Sequence, residues 1–324
     1  MRNFTIILVL SFLQFVYIQE VAAFWIWTPE SGKFTDPKYI AKDTPERSFS
    51  YAKTLYDSKD YDEAIKNFEV LISSFPLSRL ASEAQYYIGQ SYEAIQKYYY
   101  AYLAYQKVID EYPGSKRIAE IIAKEYEIAD FLYNDEKARI LGKSIGMLSS
   151  KEKALEIFQK IVNDAPYGEY GPLAQYKMGI YYKEVAKYKE AIDEFNKVID
   201  NYPQSKLVIE ARYEIAICLF ETAAQRGYKQ ADINKAIREF QDFITDYPED
   251  KLGAEAANKL SDLKQKKAEG IFSIAQFYEK QGDLDSALIY YKEIRDSLGD
   301  TSWVTKAVER ILVIDKGREN ANDL

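Results

Sequence analysis

The chain has 324 residues, a formal net charge of −8 and basic residues that are scattered instead of clustered, a poor match for a phosphate backbone. It contains no histidine, which removes His-based nucleophilic triads, histidine general bases and His-containing zinc sites together. Its one cysteine, Cys218, excludes an intrachain disulfide and sits in the apolar run Ile215 to Phe220, where it reads as a small buried residue. The 51 acidic residues leave an acid/base pair open by composition, yet no spacing singles one out, so no catalytic residue is assigned.

From the start of the chain, residues 1–23 read as a secretory signal: Arg2, an apolar stretch from Phe4 to Ile18, then Val21-Ala22-Ala23 at a small-residue cleavage site. That stretch, at about 15 residues, falls short of the roughly 20 that a spanning helix needs. Residues 24–44 form an aromatic segment punctuated by Pro29 and Pro37. Within it, Phe24, Trp25 and Trp27 are a candidate docking element for a partner or a membrane interface, with folding back onto the protein as the plain alternative. Thr44-Pro45 then supplies a cap and a first helical position.

From residue 45 onward one pattern recurs six times: an Ala, an aromatic four residues later, and a Pro or Gly twelve residues after the Ala. The Ala and aromatic pairs are Ala64/Phe68, Ala101/Tyr105, Ala154/Phe158, Ala191/Phe195, Ala236/Phe240 and Ala287/Tyr291. Four residues is close to one helical turn, so each pair shares a face; the Ala admits a neighbouring helix, the ring fills the space beside it, and the Pro ends the helix. A second small residue stands twelve positions before the Ala in five cases, at Ala52, Gly89, Gly142, Gly179 and Ala275, and marks a first helix packed antiparallel to the second. In the fifth repeat the small residue is Ala216, and the eight additional residues are expected to lengthen the turn near Gly227. Leu252 to Lys280 contains no Pro or strong turn cluster and predicts a single long helix. The architecture is therefore all-α: an α-solenoid of about six helix pairs that resembles the tetratricopeptide repeat.

Three positions before each small residue stand Phe49, Tyr86, Arg139, Tyr176, Tyr213 and Phe272, which in a repeat of this type are expected on the concave side as a candidate peptide-binding ladder. The alternative is that these rings pack between adjacent helices. Leu141-Gly142-Lys143-Ser144 has the ending of a nucleotide-binding loop, but Lys137 occupies the required upstream glycine position and no strand precedes it, so no cofactor is assigned.

Several details narrow the repeat family. Tyr202-Pro203-Gln204-Ser205 leads to Glu210-Ala211-Arg212-Tyr213, Ala165 to Tyr170 forms an inter-repeat turn, and Tyr247-Pro248 feeds a long helix carrying Leu260, Leu263 and Ala268. With the insertion after Phe220, these resemble the BamD family of outer-membrane β-barrel assembly lipoproteins, best over 151–299. The resemblance implies a non-enzymatic periplasmic scaffold associated with the outer membrane. Its N-terminal repeats would accept unfolded outer-membrane proteins through a terminal signal strand, and its C-terminal repeats would dock the barrel-forming subunit of the machinery. The expected organisation is N-terminal repeats over 45–134, a BamD-like region over 135–317 and a tail at 318–324. BamD proteins carry a lipidated cysteine at the cleavage site, where this chain has Phe24, so membrane association is expected to run through partners. The alternative is a periplasmic repeat protein of the cell-division-coordinator type, acting with envelope synthesis machinery.

Overall fold

The computed structural model describes residues 26–28, 33–36, 39–134 and 149–322. The chain divides into two compact units, residues 1–115 and 116–324.

The first unit begins with a hairpin absent from the sequence-based expectation. Strand β1 (Ile26–Thr28) pairs antiparallel with β2 (Lys33–Thr35), and Trp27 stands opposite Phe34. Four helices follow: α1 (Pro45–Asp57), α2 (Tyr61–Ser74), α3 (Arg79–Ala94) and α4 (Tyr98–Glu111). As expected, Pro45 is the first helical residue, and the Thr44 hydroxyl accepts the Arg47 N–H at 3.3 Å. Tyr39 ties the segment ahead of α1 to α2 by donating to Glu63 at 3.0 Å.

The second unit contains α5 (Ile118–Asn134), α6 (Ser150–Asp164), α7 (Tyr170–Glu184), α8 (Tyr188–Asn201) and α9 (Leu207–Gln225). It continues with α10 (Gln230–Asp246), α11 (Gly253–Lys280), α12 (Leu284–Ser297) and α13 (Trp303–Asn322). Within each unit every helix packs on the next, and contacts between alternate helices join α1 to α3, α5 to α7, α7 to α9 and α11 to α13. That is the order of stacked helix pairs, in which each pair meets mainly its neighbours.

The recurrent pattern forms the core. All six motif alanines and all six motif aromatics have no exposed surface. A Cβ placed on Gly89 would lie 2.4 Å from the Tyr105 ring, and one on Gly179 would lie 2.5 Å from Phe195, so these glycines are small because the facing ring takes the space. Where the ring is Tyr, its hydroxyl needs a partner, and a glutamate twelve residues upstream provides one. Tyr105 donates to Glu93 at 2.7 Å and Tyr291 to Glu279 at 2.8 Å.

Four of the turns inside the repeats share one geometry. Lys59, Gln96, Ala186 and Gly282 adopt positive φ, and the residue after each donates its N–H to a carbonyl five residues back, at 2.8 to 3.0 Å. α11 is the single long helix expected from Leu252 to Lys280.

Two expectations about insertions are corrected. The eight additional residues of the fifth repeat extend the helices, α9 to 19 residues and α10 to 17, and leave a short turn at 226–229. In the third repeat the first helix is α5, because Tyr126 and Ala129 supply the aromatic and small residue against Phe158, with rings 5.7 Å apart. The additional length therefore falls inside that repeat, between α5 and α6, and Gly142, expected as its small residue, lies outside the described residues. α5 packs with α6 in the second unit, residues 116–324.

Candidate functional site

Five of the six candidate ladder residues are positioned by a first helix of a pair, three residues before the small position. The rings do not stand side by side in an open groove. Phe49 meets Phe68 at 5.7 Å, Tyr86 meets Tyr105 at 5.7 Å, Tyr176 meets Phe195 at 5.4 Å, Tyr213 meets Phe240 at 6.4 Å and Phe272 meets Tyr291 at 5.2 Å. Every one of these contacts joins the two helices of a single repeat. Tyr86, Tyr213 and Phe272 are buried, and Phe49 and Tyr176 are half-buried. Each ring thus packs against the second helix of its own pair, while Phe49 and Tyr176 keep part of their surface exposed. Arg139 lies outside the described residues, and Tyr126 holds the corresponding position in the third repeat.

Phe272 also contacts the next first helix. Its ring lies 5.1 Å from Trp303 of α13, and the two line a cleft of about 420 Å³ with Ser273, Gln276, Lys306 and Arg310. Lys306 stands over the Trp303 ring at 4.2 Å. Arg310 bonds Glu279, a pairing that holds the Glu279 carboxyl below the usual carboxylate range despite partial burial, with the Tyr291 hydroxyl adding to the effect. Burial together with that same carboxylate pushes the Tyr291 hydroxyl up to about 12.

Across the first helices of the second unit, charged pairs join neighbours beside ring contacts such as Tyr126 with Tyr170 at 5.1 Å. Lys177 of α7 pairs with Asp130 of α5 at 2.7 Å, and Lys183 of α7 pairs with Glu214 of α9 at 2.5 Å.

In the candidate docking segment, Trp27 is 53% exposed and sits opposite Phe34, which is 66% exposed. Phe24 and Trp25 lie outside the described residues. Cys218 is fully buried, and burial pushes its thiol up to about 12, which suits packing and not reaction. Among the described residues no group of acids and cysteine has the arrangement of a metal site, and no helix is long and apolar enough to cross a membrane.

Comparison with known proteins places this architecture. A family described as an outer-membrane lipoprotein, YfiO, matches residues 143–320, and tetratricopeptide repeats match 48–78 and 83–115. No curated protein matches the chain. Similar solved structures include a thermophilic tetratricopeptide-repeat protein of Thermus thermophilus, at 17% identity, covering 67% of this chain and 99% of that one, with a TM-score of 0.32. A tetratricopeptide-repeat protein of Parabacteroides merdae is 16% identical, covers 83% of this chain and 98% of that one, and has a TM-score of 0.32. The C-terminal part of a repeat protein of Cytophaga hutchinsonii is 19% identical, covers 82% of this chain and 87% of that one, and has a TM-score of 0.33. With its stacked helix pairs and a family match over more than half of its length, the chain belongs to the YfiO, or BamD, family of outer-membrane lipoproteins.

Proposed function

We propose that the chain is a periplasmic scaffold that helps assemble β-barrel proteins into the outer membrane by holding client and machinery proteins on its repeats. The family match over 143–320 carries this reading. The side chains fit it: the first-helix surface of the second unit offers lysine and carboxylate pairs and the Phe272/Trp303 cleft, and no reactive constellation accompanies them among the described residues. In this reading the second unit docks the machinery and the N-terminal repeats meet unfolded clients.

Depletion of the protein in its own host tests the proposal. Folded outer-membrane β-barrels, assayed by heat-modifiable migration, should fall while periplasmic soluble proteins stay constant. Unchanged barrel levels with altered cell-wall synthesis or division would contradict it and favour the cell-division-coordinator alternative.

A further inference from the structure

The repeats provide their own internal controls, since equivalent positions can be compared within one chain. On the second helix of each pair, the residue before the motif Ala is Glu63, Tyr100, Lys153, Glu190, Lys235 and Ser286 in turn. The residue two after it is Lys66, Leu103, Glu156, Asp193, Arg238 and Ile289. Both positions lie away from the partner helix, and most of these residues are charged, as solvated positions should be. Only α4 is apolar at both.

Tyr100 is 55% exposed and Leu103 is 40% exposed, and their three-residue spacing puts them on one face of α4. They form one wall of a groove of about 580 Å³. Ile72 of α2 stands across from them, Ile88 of α3 forms the floor, and the Tyr92 ring lies 5.7 Å from that of Tyr100. The corresponding outer face of the fourth repeat, beside α8, has a cleft of about 450 Å³ in which Tyr182 and Lys197 stand with Glu190, Asp193, Glu194 and Asp200. Folding the repeat therefore does not require apolar residues at these positions. At the rim of the α2–α4 groove, Glu69, Asp110 and Glu111 outnumber Lys107, so the apolar strip is bordered by negative charge.

We propose that this groove docks a short amphipathic segment of a partner protein, one that sets apolar side chains against Tyr100 and Leu103 and lysine or arginine against Glu69, Asp110 and Glu111. Grooves of this kind take an apolar helix face, and the charges at the edge set its orientation. The site is independent of the outer-membrane role, because it is defined by the chemistry of its walls.

The test uses the purified protein, residues 24–324, and two fluorescent synthetic helical peptides, one of leucine and lysine and one of leucine and glutamate. Fluorescence anisotropy should show the leucine–lysine peptide binding, more weakly as salt rises, and the leucine–glutamate peptide failing to bind. Leu103→Glu should weaken binding at least about tenfold. Non-specific attraction of a basic peptide to an acidic protein predicts the opposite sign, because Leu103→Glu adds negative charge. Charged residues fill this position in four sister repeats, so the variant is expected to fold, and its circular-dichroism melt checks that; Tyr100→Glu provides a second variant. Unchanged affinity in both variants, equal binding of the two peptides, or binding of neither overturns the proposal. So does a photo-crosslink from position 103 to this chain's own segment 24–34, which would make the groove an internal seat.

Discussion

Gly179 and the Phe195 ring show how a single atom sets the spacing of a helix pair. A Cβ at 179 would lie 2.5 Å from the ring, so Gly179→Ala must push α8 outward or force Phe195 off its rotamer. The expected cost is about 1–3 kcal/mol, read as a lower denaturation midpoint with an unchanged slope. An unchanged midpoint would show that the ring yields freely. Ala186 predicts the opposite direction. It holds a φ of +58° that an L-residue adopts only with strain, so Ala186→Gly should raise stability by roughly 0.5 kcal/mol after the entropy of the unfolded glycine is deducted. At this scale the sequence was highly informative for packing and poor for recognition. The Ala and aromatic pairs announced burial because their spacing is that of one helix face. Repeat type alone gives the ladder residues a direction, and it does not foretell that each described ring also meets the aromatic of its own partner helix. The apolar character of Tyr100 and Leu103 was present in the sequence, but an exposed apolar residue stands out only against sister repeats whose register has been fixed.

The elements explain where spacing misled. A fixed twelve-residue offset before Ala154 points to Gly142, but the additional residues of the third repeat lie inside the pair, so α5 with Tyr126 and Ala129 takes the role. An insertion inside a repeat preserves both helices and destroys only the count between them. The fifth repeat absorbs its insertion in helix length, since continuing a helix satisfies backbone groups that a longer turn would leave to solvent. The long α11 was legible because nothing in it could stop a helix. Its C-terminal end is joined to α13 by Glu279 and Arg310, which also positions Glu279 for the Tyr291 hydroxyl. The carboxyl is held below its ordinary value of about 4.3, so its contribution is complete above that value and is lost as pH falls through the lowered one. Hydrogen exchange of α13 amides, with intrinsic rates corrected for pH, should lose protection relative to α8 as the pH drops below about 4. Glu279→Gln should lower α13 protection at neutral pH and flatten that dependence. Equal protection in wild type and variant at every pH would remove the pair from the account of how α13 is held.

At the scale of the molecule, two compact units of stacked helix pairs carry, among the described residues, no metal-binding cluster. The repeat fold was readable because a solenoid repeats its grammar, so an error in one unit left the others intact. The family was readable from the inter-repeat turns and the long helix; the surface that meets a partner was not, because polar solenoid faces look alike whether or not they bind. The central claim is that the second unit holds the outer-membrane assembly machinery. A photo-reactive residue at Gln276, in the cleft of Phe272 and Trp303, should capture the barrel-forming subunit from intact envelopes, and Lys306→Glu, at an exposed residue of the same cleft, should abolish that capture while the protein stays folded. Recovery of cell-wall synthesis or division proteins in its place would contradict the account.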